Sequence, residues 1–532
     1  LICREVAGAV LVLFVEFLPK PSVEFLARSG NRGSIMVGWY RVFVLLSVFL
    51  ALGMQTSASG AEQRNVLLIC VDDLKPALGC YGDPLAKTPN IDQLASRSVV
   101  FQRAYCNQAV CSPSRNALLS GLRPTTLGIY DLGTHLRDAS PDLITMPQWF
   151  KQHGYRTESL GKIFHVGHGN RDDELSWSVP SWKAKVVQYA LPENRPPKTP
   201  MTREEARFSN QDPKGKPKGP PTEVADVPDE TYADGAVANQ AIVRLRRASE
   251  DPKTPFFLAV GFVKPHLPFV APKKYWDLHE PNKFPLASYQ SAPADAPQVA
   301  MHGFGELRQY QGISEKDPVP ESMQQHLLHG YYAATSYVDA QIGKVLDELK
   351  RLGLEQNTIV ILWGDHGWHL GDHGLWCKHS NFEQATRIPL LISAPDLPSH
   401  RSDGLVESVD LFPTLCDLAK LPIPSNPLDG ISLVTHMLDS RVPTKQHILH
   451  VYPRGRGKEG EILGRAVRTE QYRLVEWKPY SGDGKVELEL YDYLDDPEEK
   501  TNLAEELPEV VEELFKHLAA YGNPRPPLSA KR

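Results

Sequence analysis

Cys111-Ser112-Pro113-Ser114-Arg115, followed by Asn116-Ala117-Leu118-Leu119-Ser120-Gly121, is the segment of this chain best suited to chemistry on an anion. Pro113 sits where the first turn of a helix tolerates it, and Gly121 is a natural stop. The spacing predicts a short helix with Cys111 at its N-terminus, where free N–H groups and the helix dipole favour negative charge. Arg115 follows one turn later and faces the same way. A lone cysteine is more often a small buried hydrophobe, but this five-residue pattern favours a catalytic one.

Other polar groups must be carried to that helix end by the elements around it. Asn65 to Val71 (NVLLICV), Phe256 to Val263 (FFLAVGFV), Thr358 to Trp363 (TIVILW) and Ile388 to Ser393 (IPLLIS) are short, continuous apolar runs. Runs of this length suit strands buried on both faces, as in a parallel sheet. Between them, Tyr331, Ala334, Val338, Ile342, Val345 and Leu349 recur 3 or 4 apart and predict a helix from about Gln324 to Leu352. Strands alternating with helices give an α/β layered fold, whose ligand site collects at the carboxyl ends of the strands. Asp72-Asp73, Lys264-Pro265-His266 and Gly364-Asp365-His366 each follow a predicted strand, so three distant clusters should meet on one sheet edge.

Composition narrows the function. The 532 residues carry 58 Lys+Arg and 64 Asp+Glu, a formal charge of −6, with 41% hydrophobic and 23% charged residues. That balance excludes disorder and a protein built around a basic nucleic-acid surface. An anionic substrate stays possible, because a few cations in a cleft outweigh the net charge locally. Seven cysteines without a CxxC pair exclude a disulfide-built scaffold and a structural zinc site. His366, His369 and His373, with Asp372, have the spacing of a zinc trio, but Gly364, Gly367, Gly371 and Gly374 break any regular helix. His369 and His373 therefore read as supporting loop residues.

Met36, Arg41, the apolar run Val42 to Met54 and the small residues Ser57 to Ala61 describe a signal peptide over 36–61. The run of about 13 residues falls short of the roughly 20 that span a bilayer, so the expectation is export without stable membrane insertion. Residues 1–35, before the first methionine, read as an over-extended start and receive no role. A stretch rich in Pro, Lys and Glu from about Leu191 to Asp229 reads as an irregular excursion, with Lys214, Lys216 and Lys218 on a solvated face. Specificity should depend on two excursions, 166–255 and 279–325. The chain then divides into a catalytic domain over 62–440 and a C-terminal subdomain over 441–532. In the latter, Ala466 to Trp477 and Lys485 to Tyr493 alternate like antiparallel strands and Val510 to Tyr521 closes as a helix.

Cys-x-Pro-x-Arg followed by a short helix resembles the signature of the sulfatase family. Asp72-Asp73, Thr88-Pro89-Asn90-Ile91-Asp92, Gly161-Lys162, Asp365-His366-Gly367 and Glu489-Leu490-Tyr491-Asp492 with Asp496-Pro497 resemble further family motifs in family order. The finer pattern is similar to the branch acting on uronate 2-O-sulfates. It comprises Gly161 to His165, Lys264 to Phe269, Asp365 to Trp368 and Trp376 to Phe382. Many other sulfatases carry Asn where His366 stands.

The resemblance implies an alkaline-phosphatase-like fold, a mixed sheet sandwiched by helices, with a smaller C-terminal α+β subdomain. It implies hydrolysis of a sulfate ester on an acidic sugar, in a glycosaminoglycan or related polysaccharide. Cys111 would be oxidised to Cα-formylglycine by a formylglycine-generating enzyme, a maturation partner. The hydrated aldehyde offers one oxygen to attack sulfur and a second hydroxyl to expel sulfate, a release route that a thiol lacks. One Ca²⁺ would be held by Asp72, Asp73, Asp365, His366 and position 111. Arg115 and Lys162 would hold the diol and His165 would start its collapse. Lys378 and His266 would bind the ester oxygens, one of them protonating the leaving alkoxide. Alternatives at the same site are another sulfated carbohydrate, a small sulfate ester, or a phosphonate or phosphate ester. An inactive carbohydrate-binding relative is the alternative from another class.

Overall fold

The computed structural model describes residues 63–528 apart from 196–218, 282, 458–459 and 481–483. The expected signal peptide at 36–61, the residues before it, and Lys214, Lys216 and Lys218 lie outside the described residues.

The main sheet has seven strands: β1 (Asn65–Val71), β2 (Val99–Tyr105), β3 (Arg156–Gly161), β4 (Phe256–Phe262), β5 (Thr358–Gly364), β6 (Arg387–Ser393) and β7 (His400–Glu407). Across the sheet they lie in the order β7-β2-β6-β5-β1-β4-β3. Strands β5, β1, β4 and β3 run parallel, as the apolar runs of β1, β4 and β5 predict; β3, with the sequence RTESLG, has no such run. Strand β6 does not: it is antiparallel to both β5 and β2. The connection from β5 to β6 stays on one edge, because Gly367 and Trp368 N–H donate to the Ala385 and Gln384 carbonyls. The chain thus re-enters the sheet from the edge it left, which only an antiparallel strand can do.

Every residue of β1, β4 and β5 is buried, and alternate side chains feed two cores. Leu67, Ile69, Val71, Leu258, Val260, Val360 and Leu362 point to one face, Val66, Leu68, Phe257, Ala259, Ile359 and Ile361 to the other. The second face is covered in part by Leu118 and Leu119 of α1 (Cys111–Ser120). The first is covered by α2 (Ala233–Glu250) through Val237, Ala241 and Leu245, and by α3 (Glu321–Arg351) through Val338, Ile342, Val345 and Leu349. At roughly 1.5–3 kcal/mol per large apolar side chain, this two-sided burial holds the sheet edge rigid. Helix α3 is the one its periodicity predicts; α2 lies within an excursion where the sequence predicted none.

A second, four-stranded antiparallel sheet follows: β8 (His447–Gly457), β9 (Gly460–Thr469), β10 (Tyr472–Pro479) and β11 (Glu487–Asp492), in that order. Helix α4 (Pro508–Ala520) packs Val511, Leu514 and Leu518 on Leu449, Val467, Leu474 and Leu490. The segment Ala466 to Trp477, read as one strand, is two strands joined at Glu470-Gln471. That turn contains no Gly, Pro, Asn or Asp to mark it. Among the described residues, no helix is long and apolar enough to cross a membrane.

Candidate active site

Parallel register delivers the polar residues one by one to the same edge. Asp72 N–H donates to the Phe262 carbonyl at 3.2 Å, Asp365 N–H to Val71 at 3.1 Å and Lys162 N–H to Gly261 at 3.0 Å. The three clusters expected at strand ends do converge, and β3 adds Lys162 as a fourth. Asp72, Asp73, Arg115, Lys162, Asp365 and His366 are all 0% exposed, so their charges must be satisfied by one another or by a ligand.

Cys111 is the first residue of α1 and is buried; extended Val110 precedes the helix and left-handed Gly121 (φ 70°) ends it. Its Sγ lies 3.7 Å from Asp72 Oδ1 and 3.5 Å from His366 Nε2. Burial alone would raise the thiol, but Lys162, Lys378 and the His366 hydrogen bond together hold it well below its ordinary value. Arg115 is clamped by four acceptors: Asp365 Oδ2 (3.0 Å), Asp72 Oδ1 (3.1 Å) and the carbonyls of Lys162 (2.5 Å) and Ile163 (3.1 Å). Lys162 Nζ reaches both Asp72 oxygens at 2.7 and 2.9 Å. Ser114 Oγ donates to the Asp365 carbonyl, tying the helix to the end of β5.

Asp73 takes a left-handed conformation (φ 58°). Its N–H donates to Asp365 Oδ1 at 2.9 Å and its carbonyl accepts from the Tyr331 hydroxyl at 2.9 Å. The helical periodicity marks Tyr331 only as a core residue. Its ring does pack edge-on to Phe269, yet its hydroxyl is a clamp that turns Asp73 into the site. Lys378 Nζ lies 3.1 and 3.2 Å from the Asp73 carboxylate, His366 Nε2 3.3 Å and His266 Nε2 3.6 Å.

Ligand atoms from Asp72, Cys111, Asp365 and His366 all lie within 4.8 Å of one another. Burial holds Asp73 well above the usual carboxylate range despite Lys378, with Asp72 adding to the push. Burial likewise raises Asp365 to about 6. His366 is pushed up to about 9: burial opposes this, and Asp365 and the Cys111 hydrogen bond outweigh it. Three crowded, buried carboxylates are an oxygen-rich donor set, and a hard divalent cation fits them.

His165 is buried in the loop after β3, its ring stacked on His168 at 5.5 Å with Nε2 3.3 Å from His168 Nδ1. The same loop returns to the start of α1, where the Asn170 amide donates to Ser112 Oγ at 3.2 Å. His366 does not join His369 and His373, because it turns to Cys111 and Asp73; His369, Asp372 and His373 do lie together, with ligand atoms within 4.8 Å of one another. His369 is taken up by the Asp372 carboxylate and Ser380 Oγ, and His373 by the Glu498 carbonyl. One charged residue was missed. Glu306, in the 279–325 excursion, contacts both His266 and Lys378, and no local motif marks it.

The sulfatase family profile matches residues 64–421, well over half the chain. The chain belongs to the sulfatase family. As a sulfatase it is a sulfuric ester hydrolase, and a second profile, described as the C-terminal part of N-sulphoglucosamine sulphohydrolase, matches residues 371–523. This sulfatase is 35% identical to human iduronate 2-sulfatase over 525 residues, covering 86% of this chain and 92% of that one. It is 39% identical to the mouse iduronate 2-sulfatase over 488 residues, covering 84% and 86%. A structure solved with its substrate D-glucosamine-2-N,6-O-disulfate superposes with a TM-score of 0.68 at 21% identity, covering 86% of this chain and 97% of that one. At that identity the likeness speaks for the fold, which is alkaline-phosphatase-like with a C-terminal sheet subdomain.

Proposed function

We propose that this sulfatase removes the 2-O-sulfate of a uronic acid in a glycosaminoglycan or related acidic polysaccharide. The observation that carries the reading is Cys111 Sγ, 3.7 Å from Asp72 and 3.5 Å from His366 in a buried site. Arg115, Lys162 and Lys378 surround that site with positive charge, and the iduronate 2-sulfatases of human and mouse support the substrate class.

Cys111 is the residue to be converted to Cα-formylglycine, by a cysteine-oxidising maturation enzyme. Its hydrate supplies an oxygen nucleophile and a second hydroxyl through which sulfate leaves. Asp72, Asp73, Asp365, His366 and position 111 would hold one Ca²⁺, which supplies charge to acidify that nucleophile and to neutralise sulfuryl oxygens. Arg115, fixed by its four acceptors, and Lys162 orient position 111 and offset the charge that grows in the transition state. His165 takes the proton whose loss starts diol collapse. Lys378 and His266 bind the ester oxygens, and one of the two protonates the leaving sugar oxygen. Residues 62–440 form the catalytic domain and 441–532 the C-terminal subdomain, and the signal peptide at 36–61 directs export.

The test is sulfate release from a 2-O-sulfated uronate disaccharide by the purified enzyme, with Cys111→Ala as control and mass spectrometry of the peptide spanning Cys111. The reading expects turnover, its loss in a folded Cys111→Ala variant, and a peptide that has lost sulfur and gained a carbonyl. Unchanged sulfate release by Cys111→Ala overturns the mechanism. Far faster turnover of phosphoesters overturns the substrate class.

A further inference from the structure

The loop that leaves the site after His366 and returns to it at Lys378 carries a second cluster of ligand side chains. A tight turn in which His373 is left-handed (φ 56°) brings His369, Asp372 and His373 together, each offering an atom within 4.8 Å of the other two. His369 Nδ1 faces Asp372 Oδ2, and its Nε2 lies 2.8 Å from Ser380 Oγ, which can accept an Nε2 hydrogen. His373 Nε2 is 2.8 Å from the Glu498 carbonyl oxygen and 3.2 Å from that of Glu499. Carbonyls only accept, so Nε2 carries hydrogen and the lone pair of the neutral ring is on Nδ1. That Nδ1 is buried, in a side chain 2% exposed, and has no hydrogen-bond partner among the described residues. It lies 3.9 Å from Asp372 Oδ2, too far for a hydrogen bond. Phe382 stacks on the ring at 4.5 Å and Tyr289 packs edge-on at 6.0 Å, which fixes the direction of Nδ1. A dry lone pair without a partner is costly and calls for an occupant.

We propose that His369 Nδ1, the Asp372 carboxylate and His373 Nδ1 form a second metal site, suited to Zn²⁺. Two imidazoles and one carboxylate are a borderline nitrogen and oxygen set, unlike the carboxylate cluster around Asp72, which suits a hard cation. The contacts of the two Nε2 atoms with Ser380 and Glu498 are of the kind that orients ligating imidazoles. With bonds of about 2.0–2.1 Å, tetrahedral ligand atoms stand about 3.3–3.4 Å apart, so His373 Nδ1 has about half an ångström to close on Asp372. His369 and Asp372 part to admit the ion. Zn²⁺ takes the place of the hydrogen between His369 Nδ1 and Asp372 Oδ2, releasing one proton to solvent for each ion bound. Asp372 is 20% exposed, which gives the ion an entrance and leaves a position for water. The cysteine spacing that excludes a CxxC zinc site has no bearing here, since no thiol takes part. The site is independent of the reaction at position 111; bound zinc braces the 367–378 loop against Glu498 and Glu499 of the C-terminal subdomain. Asp372 also feels the charge of Lys75, so the rival is a carboxylate satisfied by Lys75 and His369 alone.

The experiment measures zinc binding to the full-length Cys111→Ala protein in saturating Ca²⁺, which occupies the carboxylate cluster and leaves no thiolate there to hold zinc. Dialysis against about 10 µM free Zn²⁺ should leave one zinc per chain and release about one proton per ion. Zinc should also raise the melting temperature. His373→Gln and Asp372→Asn, made in the same background, should each weaken binding at least about tenfold and remove the zinc-dependent rise. The Gln amide can keep the bond to Glu498, so His373→Gln tests the lone pair rather than the fold. X-ray absorption of the bound zinc should show two imidazoles, an oxygen shell and no sulfur. This last reading needs no substitution and decides the matter if the variants fail to fold. No retained zinc, binding that neither substitution weakens, or a sulfur neighbour at the ion would each overturn the proposal, and no retained zinc would leave the rival carboxylate in place.

Discussion

Gly161 and Gly261 face each other across the parallel strands β3 and β4, packed so closely that a Cβ on either would run into the other strand's backbone. Gly161 also holds a left-handed conformation (φ 70°), which turns the chain so that Lys162 enters the site. The backbone that Gly261 crowds is that of Lys162 itself, so this glycine pair sets where the lysine that grips Asp72 begins. Gly261→Ala should therefore push Lys162 aside. The expected result is a loss of at least about tenfold in kcat, with a stability loss of about 1–3 kcal/mol from overpacking. Sulfate-release kinetics beside a denaturant titration check both, and a fully active Gly261→Ala enzyme would contradict the close approach.

Chelation tests the carboxylate cluster. Asp73 and Asp365 are held above their ordinary range mainly by burial, and a divalent cation among them would relieve the repulsion that Asp72 adds. Stripping metal with a chelator should abolish sulfate release and lower thermal stability, and adding Ca²⁺ back should restore both. Asp72→Asn and Asp365→Asn should blunt the Ca²⁺-dependent rise in melting temperature. Full activity after exhaustive chelation would remove the metal from the mechanism.

Acid sensitivity has a defined contributor away from the site. Burial alone would raise Asp173, but its hydrogen bonds from Arg137 (2.9 and 2.8 Å) and Ser176 (2.6 Å) hold it below the usual range. A carboxyl lowered on folding adds stability that is fully present above its unfolded value of about 3.9. That stability is lost as pH falls through the lower folded value. Unfolding free energy should fall with acidification below about pH 4, and Asp173→Asn should flatten that slope. The same variant should cost about 1–3 kcal/mol at pH 7, because the half-buried Arg137 loses its anion. Denaturant titrations at a series of pH values give both numbers, and an unchanged slope in Asp173→Asn would reject the assignment.

What the sequence determined by itself is local. Three of the four apolar runs marked the strands that carry Asp72, His266 and Asp365, because strands buried on both faces leave no polar residue inside. Pro113 and Gly121 bracketed α1, because a helix start tolerates one and its end favours the other. The family motifs named Cys111, Arg115, Lys162 and Lys378 because the chemistry they resemble needs those residue types. The direction of β6 was settled only by Gly367 and Trp368 folding back onto Ala385 and Gln384, a pairing that no apolar run encodes. Tyr331 read as core because periodicity reports which face is buried and cannot report where a hydroxyl reaches. Glu306 was invisible for the same reason. It meets His266, 40 positions earlier in the chain, and Lys378, 72 positions later, only when the excursion folds over the sheet edge. Local propensity acts over a few residues, whereas burying opposite charges together is decided by the packed chain.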